Sequence, residues 1–374
     1  MSKSPLKIED LSSSGEGVGF LDGKAVFVDG ALPDETVEVT IIQSKKKFAR
    51  AKLQKVLTPS PHRTEPICPL FGTCGGCQLM HLTYPEQLKW KSKRVQETLT
   101  RIGKINYPVE PCIASPDPLY YRHKIHLHKG GFHKKHSHTT VPITKCYIHN
   151  PTGDAKLPQV KNCREAIIRT SHTTDETMLI CNGKPDRPFL TETLNNLTFR
   201  IGPKDFFQIN PKQALQLYNH TLKLASLTPT SRVLDAYCGV GTLTLLAAKH
   251  AQEVIGVESG RTAIQNARVN AQLNNMKNVT FHCDLLEQKI PTLGTFDTIF
   301  LNPPRGGLHP QVLETILTHP PKKLLYISCD PATLSRDLSQ LNKIFTVNTV
   351  QPFDLFPQTS HVETLVLCNR KINI

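Results

Sequence analysis

From about residue 210 onward, short apolar runs alternate with amphipathic stretches, and this alternation restricts the chain to few folds. The candidate strands are RVLDAYCG, EVIGVE, VTFHCD, DTIFLNPP and LLYISC, with helical patterns between them. Strands that alternate with helices form a mostly parallel sheet covered on both faces. We therefore predict an α/β fold with a doubly wound sheet, which a final pair of strands completes.

A glycine-rich turn follows the first of these strands, in VLDAYCGVGTLTL (residues 233–245). Gly239 and Gly241 allow the backbone to approach a ligand closely. The spacing D-x-x-x-G-x-G lacks the third glycine of a dinucleotide fingerprint. Glu258 ends the second strand, where a carboxylate can accept from two ribose hydroxyls, and Asp284 ends the third, within reach of an adenine edge. The pattern resembles class I S-adenosylmethionine methyltransferases, whose cofactor carries no phosphate.

A cysteine stands where a later strand gives way to a helix, in LLYISCDPATLSRDL (residues 324–338). Asp330 and Pro331 are typical of the first residues of a helix. A nearby helix N-terminus lowers the pKa of a thiol, so Cys329 is a candidate nucleophile. The alternative is a small buried apolar side chain.

Pyrimidine methylation at carbon 5 gives this cysteine a possible task. A thiolate that adds to carbon 6 turns carbon 5 into an enolate, which can then take a methyl group. A general base must afterwards remove the proton at carbon 5 so that the thiol is eliminated. Cys329 and Glu363, the latter within the last strand pair, provide both groups.

Five motifs in order resemble the RNA (uracil-5-)-methyltransferases, and among them the iron–sulfur 23S rRNA type. They are FFQINPKQALQLY, DAYCGVGTLTL, NPPRGGL, ISCDPATLSRDL and FPQTSHVETLVL. The resemblance implies S-adenosylmethionine as cofactor, Cys329 as nucleophile and Glu363 as proton acceptor. It implies further contacts to the cofactor and target base, from Gln208, Tyr237, Thr242, Glu258, Asp284 and Asn302. The family usually has Asp where this chain has Asn302; the amide oxygen still accepts hydrogen bonds, and we expect activity to survive.

Three cysteines lie within ten residues, Cys68, Cys74 and Cys77, in the spacing C-x5-C-x2-C. Thiolates at such density fit a metal centre, which needs a fourth ligand from elsewhere. Cys146 and Cys163 are both candidates on sequence alone, and zinc and a chance group of thiols are alternatives to an iron–sulfur cluster. The family resemblance selects Cys146, in ITKCYIHNP, and implies a [4Fe–4S] cluster with a structural or RNA-shaping role.

The N-terminal residues read as a small β-barrel and resemble the TRAM module, which is OB-like and binds RNA. We predict three domains: the barrel (1–58), a central iron–sulfur domain (59–79 and 112–204), and the methyltransferase domain (80–111 and 205–374). Residues 84–102 show a helical pattern that turns Leu88, Val95, Leu99 and Ile102 inward.

The net charge of +14 suits a polyanionic partner, and RNA is expected before an anionic membrane. No stretch is apolar over about 18 residues and the N-terminus lacks a signal-peptide core, so we expect a cytoplasmic protein with no disulfide framework and no membrane partner. We expect a monomer. Cations and rings at Tyr121, Arg122, His123 and Lys124 predict an RNA contact, with the target uridine flipped out or in a loop.

The expected substrate is a uridine of 23S rRNA, with transfer RNA second. Two other functions are open at this point. Asn302-Pro303-Pro304 also suits methylation of an exocyclic amine, which would not need Cys329. Loss of catalysis through Asn302 would leave an RNA-binding iron–sulfur protein.

Overall fold

The N-terminal part of the computed structural model, which describes residues 3–371, is a closed five-stranded barrel. Its strands pair in the order β1-β2-β3-β5-β4. They are β1 Lys3–Leu11, β2 Gly17–Leu21, β3 Lys24–Val28, β4 Thr36–Ser44 and β5 Phe48–Thr58. Alternate residues such as Ile8, Val28 and Val37 point inward and are fully buried. This confirms the predicted barrel, because period-two alternation places every second side chain inside.

Helix α1, Tyr84–Thr98, joins the barrel side of the molecule to the C-terminal sheet. Val95 and Leu99 are buried in the same core as residues of that sheet. The helix ends in a π-helical turn, Leu99–Gly103, which changes the helical period. Ile102 is consequently 50% exposed, and the prediction that it faces inward was wrong.

The central region is an antiparallel sheet of six short strands in the order β11-β10-β9-β6-β7-β8. Their bounds are β6 Lys124–His128, β7 Gly131–His133, β8 Thr140–Pro142, β9 Glu165–Thr170, β10 Thr177–Cys181 and β11 Lys184–Pro185. A short helix, α2 (Pro151–Asp154), and a 3₁₀ helix, Leu157–Asn162, lie between β8 and β9. The hairpin of β12 Leu190–Leu194 and β13 Leu197–Ile201 follows.

The C-terminal part is a seven-stranded sheet in the order β16-β15-β14-β17-β18-β20-β19. Its strands are β14 Arg232–Ala236, β15 Glu253–Glu258, β16 Val279–Cys283, β17 Thr298–Leu301, β18 Lys323–Ser328, β19 Phe345–Phe353 and β20 Glu363–Arg370. β14 to β18 are parallel, whereas β20 runs antiparallel to both β18 and β19. The predicted doubly wound sheet and its final strand pair are confirmed.

Helices cover both faces of this sheet, and apolar side chains fill the two layers between. The helices are α3 Pro211–Ala225, α4 Thr242–Ala248, α5 Arg261–Leu273, α6 Leu286–Lys289, α7 Pro310–Thr318 and α8 Pro331–Leu341. The strand order reverses direction at β14, because β15 lies on one side of it and β17 on the other. Ligands bind at such a switch point, at the carboxyl ends of the strands.

A buried ion pair connects α1 to the loop between β19 and β20. The Nζ of Lys91 lies 2.5 Å from Oδ1 of Asp354 and 3.1 Å from the carbonyl oxygen of Phe356, and both charged side chains are inaccessible to solvent. This contact agrees with the predicted inclusion of 80–111 in the C-terminal domain. The three domain boundaries stay predictions, and their extremes, residues 1–2 and 372–374, lie outside the described residues.

No helix between residues 3 and 371 combines the length and the apolar character that crossing a membrane requires.

Candidate active site

The glycine-rich turn after β14 adopts left-handed backbone conformations at three positions. The φ angles are 65° at Tyr237, 55° at Gly239 and 83° at Gly241. A Cβ on Gly241 would lie 3.0 Å from the ring of Phe281, so a larger residue does not fit there. A Cβ on Gly239 would have more room, because its nearest neighbour would be the carbonyl oxygen of Phe206 at 3.9 Å. The turn is therefore tight on its inner side and open on the side where a ligand would lie.

Glu258, at the end of β15, holds this turn in place. One carboxylate oxygen accepts from the backbone N–H of Gly239 at 3.3 Å, and the other accepts from the backbone N–H of Gly260 at 2.8 Å. Glu258 thus ends β15 as predicted, and its assignment to the ribose hydroxyls stays a prediction.

Asp235 lies beneath the turn and is fully buried. Its carboxyl accepts from the hydroxyl of Thr244 at 2.5 Å, and burial raises its pKa to about 7.

The other predicted cofactor residues lie along the same edge of the sheet. Thr242 is buried as the first residue of α4, and Asp284 follows β16 directly and is exposed. Asn302 follows β17 and is half-buried. Gln208 is 7% exposed and lies near Tyr218 of α3, whose pKa is raised by burial and by the charges of Asp235 and Glu363. The fold thus brings the predicted residues to one edge.

Cys329 follows β18 at the same edge, and Asp330 caps helix α8 as predicted. The Asp330 carboxylate accepts from the N–H groups of Ala332 and Thr333, each at 2.9 Å. The expected lowering of the thiol pKa was wrong. Burial raises the pKa of Cys329, the charge of Glu363 raises it further, and Arg305 opposes both. Desolvation of the thiolate therefore outweighs the helix terminus in this state.

Glu363 is the first residue of β20 and is 3% exposed, so it is not a solvent-facing acid of the strand pair. Burial raises the pKa of its carboxyl to about 8, against the opposing charge of Arg305. A carboxyl with a pKa near neutrality is suited to take up and release a proton. The structure therefore pairs a buried carboxyl with a neighbouring thiol.

Arg305 is a residue that the sequence reasoning did not select. It lies in the loop after β17, near enough to Cys329 for its positive charge to lower the pKa of the thiol. The positive charge of the same guanidinium lowers the pKa of the Glu363 carboxyl and the pKa of His361. Its position directly after Asn302-Pro303-Pro304, at the end of a strand adjacent to β18, was the signal that could have identified it.

The cysteine cavity

Cys68, Cys74, Cys77 and Cys146 line one cavity of about 300 Å³. Burial raises the pKa of Cys77, and the other three thiols raise it further, whereas the pKa of Cys146 is raised to about 11. The N–H of Gly76 donates to the sulfur of Cys74 at 3.4 Å. Within residues 3–371, however, no group of three or more Cys, His, Asp or Glu side chains is arranged to hold a metal ion, so the structure does not support the predicted cluster by itself.

Cys163 forms a disulfide with Cys181 and is thereby removed from the candidates for a fourth ligand. No disulfide framework was expected, and this pair departs from that expectation, because the end of the 3₁₀ helix and the end of β10 bring the two residues together at a Cα–Cα distance of 5.4 Å.

The predicted RNA contact at residues 121–124 is only half accessible. Tyr121 is 2% exposed and donates from its hydroxyl to the carbonyl oxygen of Pro357. His123 is 8% exposed, and burial lowers its pKa to about 4. The prediction was wrong for these two rings, while Arg122 and Lys124 are half-buried.

Comparison with known proteins

Three family descriptions match parts of the chain. The TRAM domain matches residues 2–54, the methyltransferase small domain matches residues 212–325, and the tRNA (uracil-5-)-methyltransferase family matches residues 291–371. The last range contains Asn302, Arg305, Cys329 and Glu363.

Relatives match over the full length. A protein of Listeria monocytogenes described as an uncharacterized RNA methyltransferase is 33% identical, over 97% of this chain and 96% of its own length. A protein of Clostridium acetobutylicum with the same description is 34% identical, over 97% of this chain and 96% of its own length. The crystal structure of the Pyrococcus abyssi tRNA (uracil-54, C5)-methyltransferase in complex with S-adenosyl-L-homocysteine has a TM-score of 0.80 and 25% identity, over 98% of this chain and all of that one.

The fold is thus that of a class I methyltransferase with an N-terminal TRAM-like barrel. The chain belongs to the RNA uracil-5-methyltransferase family with an N-terminal TRAM domain, and it is a methyltransferase.

Proposed function

We propose that this protein transfers a methyl group from S-adenosylmethionine to carbon 5 of a uridine in RNA, with Cys329 as nucleophile and Glu363 as general base. The observation that carries this proposal is the buried carboxyl of Glu363 beside the Cys329 thiol, at the sheet edge that also holds the glycine-rich turn. Methylation of an exocyclic amine would require no thiol at this place.

The residues at the turn fit the cofactor. Gly239 leaves space for a ligand, and Glu258 presents a carboxylate suited to ribose hydroxyls. When bound, S-adenosylmethionine supplies an electrophilic methyl group on a sulfonium. We assign its binding to the turn and to the strand ends around it, with contacts from Gln208, Tyr237, Gly239, Gly241, Thr242, Glu258, Asp284 and Asn302.

Cys329 adds as a thiolate to carbon 6 of the uracil, which makes carbon 5 nucleophilic. The positive charge of Arg305 near this thiol favours its ionised form. After methylation, the Glu363 carboxylate accepts the proton from carbon 5, and the bond between carbon 6 and sulfur breaks. The neutral acid that results is the form that its buried site favours.

We propose 23S rRNA as the substrate, because the cysteine cavity accords with the iron–sulfur 23S type that the sequence resembles. Transfer RNA is the second candidate, supported by the likeness to the Pyrococcus abyssi enzyme, which acts on transfer RNA. We further propose that the protein acts in the cytoplasm as a monomer.

We also propose that Cys68, Cys74, Cys77 and Cys146 hold a [4Fe–4S] cluster. The donor set fits, because four thiols face one cavity and Cys163 is engaged elsewhere. A single ion draws sulfur ligands to about 2.3 Å from itself, whereas a cluster binds each thiolate at a different iron and leaves them farther apart. The resemblance to the iron–sulfur type is what favours a cluster over zinc. Bound there, it would supply a rigid support for the loops that carry the cysteines.

Methyl transfer from labelled S-adenosylmethionine to transcripts of 23S rRNA and of transfer RNA tests the function. After digestion to nucleosides, we expect the label in 5-methyluridine from one of the two transcripts. Label in a methylated adenine or guanine would contradict the proposal. Label in 5-methyluridine from transfer RNA alone would show that transfer RNA, and not 23S rRNA, is the substrate.

A further inference from the structure

Four histidine rings follow one another in contact across the central sheet. Ring centroids of His126 and His128 are 4.5 Å apart, those of His128 and His133 are 4.3 Å apart and stacked, and those of His133 and His138 are 5.7 Å apart. We call these four residues the histidine row. The row spans strands β6 and β7 and the loop that follows them.

Strand alternation sets the accessible side of this row. Ile125 and Leu127 of β6 point into the core and are buried, so the residues between and after them, His126 and His128, point outward. His126 and His138 are exposed, while His128 and His133 are half-buried. The inward rings Tyr121 and His123 belong to the opposite side of the same alternation.

Two adjoining hollows extend along the row. One, of about 460 Å³, is lined by His126, His128 and His133 together with Lys134, Lys135 and His361. The other, also of about 460 Å³, contains His128, His133 and His138 with Lys129 and Arg164. They share two histidines and therefore form one groove.

The groove carries more cations than free anions. The carboxylate of Asp29 is 2.6 Å from Lys135, and Glu16 is paired with Arg50. Glu165 adds a negative charge at the far end, beside Lys129 and Arg164. Cations interleaved with stackable rings match the surfaces that bind single-stranded nucleic acid.

One end of the groove adjoins the candidate active site. His361 and Ser360 line the groove, and Glu363 follows two residues later. The charge of Arg305 reaches both Cys329 and His361, because it lowers the pKa of each. A strand that lies in the groove would therefore lead toward the thiol.

We propose that this groove binds a single-stranded segment of the substrate RNA that adjoins the target uridine, with bases stacked on the histidine row and phosphates beside Lys134, Lys129 and Arg164. The proposal rests on the proposed function. A metal ion is the other ligand that histidines attract. The rings of His128 and His133 are stacked, 28° from parallel, which is the arrangement of a platform for bases.

Binding of a fluorescent oligouridine of about 12 nucleotides, within the span of single-strand sites, tests the proposal in the full-length Cys329→Ala protein. We expect the double variant His128→Ala/His133→Ala to bind it about tenfold more weakly, which is a moderate loss for base–aromatic stacking. Binding of a duplex RNA of equal length should change little. The variant His128→Phe/His133→Phe should restore affinity, because it retains the rings.

The matched control is His250→Ala/His319→Ala, which removes two exposed histidines near the opposite edge of the C-terminal sheet, where β15 and β18 begin. It should bind like the parent. Unchanged oligouridine binding by the His128→Ala/His133→Ala variant would overturn the proposal. So would a loss that appears only with added Zn²⁺ and vanishes with chelator, because the row would then be a metal site.

Turnover separates this proposal from the proposed function. With Cys329 restored, the alanine variant should raise KM for the RNA transcript about tenfold and leave kcat unchanged. A wild-type protein that transfers no methyl group to uridine would contradict the proposed function, whereas the oligouridine measurement would still decide the groove.

Discussion

The methyl-transfer site and the cysteine cavity both depend on cysteine, yet the protein positions their thiols differently. Cys329 is fixed by the end of β18 and the capped start of α8, and the carboxyl of Glu363 on β20 lies beside it. In the cavity, Cys68 and Cys77 lie in irregular segments beside turns, Cys74 forms an isolated β-bridge with Lys134, and Cys146 lies in a loop after β8. The first site is organised by the backbone; the second presents donors around a space.

This difference has a physical origin. Adjacent strands hold residues at their ends in fixed register, so a thiol and a carboxyl on paired strands are placed by hydrogen bonds that the whole sheet supports. Turns lack such support and gain order from a bound ligand instead. We therefore expect substitutions at the sheet edge to affect chemistry and substitutions at the cavity to affect stability.

The largest effect is expected for Cys329→Ala. Without the nucleophile, methyl transfer should fall by at least about a thousandfold, with the protein still folded. Cys368→Ala is the control, because Cys368 is a buried cysteine on β20 that pairs with the start of β18, at the opposite edge. Comparable rates of 5-methyluridine formation in Cys329→Ala and wild type would exclude the thiol mechanism.

Glu363→Gln should slow turnover by roughly 10²- to 10⁴-fold, the usual contribution of a general base. Methylated RNA should remain covalently bound to Cys329, since no group removes the proton from carbon 5. A denaturing gel measures the adduct. Glu253→Gln, at the start of β15, changes an acid at the remote edge and should be normal. Recovery of only free RNA from a folded Glu363→Gln protein would count against this base.

Cys77→Ser should act on the other region. We expect anaerobically purified wild type to be brown and to contain iron, and the variant to lose the iron together with at least about 4 kcal/mol of unfolding free energy, a part of what structural metals contribute. Cys283→Ser should keep both properties. Absence of iron, or zinc in its place, in the wild-type protein would disprove the cluster.

The pH dependence of stability gives a further contrast within the active site. The pKa of Glu363 is about 8 in the folded protein against an ordinary 4.5. The folded state thus favours the protonated carboxyl. The contribution of this group to the free energy of unfolding is fully present below pH 4.5 and is lost as the pH rises toward 8.

Glutamine carries no such charge. We therefore compare the unfolding free energy of Glu363→Gln with that of wild type at two pH values. The difference between variant and wild type should be more favourable to the variant at pH 7 than at pH 4, by on the order of 3 kcal/mol. Denaturant unfolding at the two pH values measures this. An equal difference at both values would show that Glu363 is not held neutral by burial.

The smallest effect is expected for Asn302→Asp, which introduces the residue that the family usually has. Because the amide oxygen already accepts hydrogen bonds, kcat/KM should change by less than about tenfold. A larger increase in kcat/KM for Asn302→Asp would show that Asn302 limits the catalytic efficiency of the wild-type protein.

The sequence predicted the regular parts of this structure better than the contacts between them. The strands of the doubly wound sheet, the glycine-rich turn and the acid of β15 follow from local periodicity and spacing. The exposure of Ile102 does not, because it depends on a π-helical turn that no pattern in residues 84–102 indicates.

Burial explains the other differences. The thiol of Cys329 was expected to ionise easily because of a helix terminus, yet desolvation by neighbouring elements determines its pKa. Tyr121 and His123 were expected at the surface, although they continue the inward alternation of Ile125 and Leu127. That alternation was readable from the sequence, whereas the pairing of Cys163 with Cys181 depends on the tertiary approach of two elements.

The most direct test of the central claim uses RNA that contains 5-fluorouridine, incubated with the wild-type protein and S-adenosylmethionine. Fluorine at carbon 5 cannot leave as a proton, so the covalent intermediate should persist. We predict a denaturant-stable protein–RNA adduct that peptide mapping assigns to Cys329. Active methyl transfer to ordinary RNA without any adduct on the fluorinated RNA would contradict the assignment and leave Cys329 as a half-buried thiol without a catalytic role.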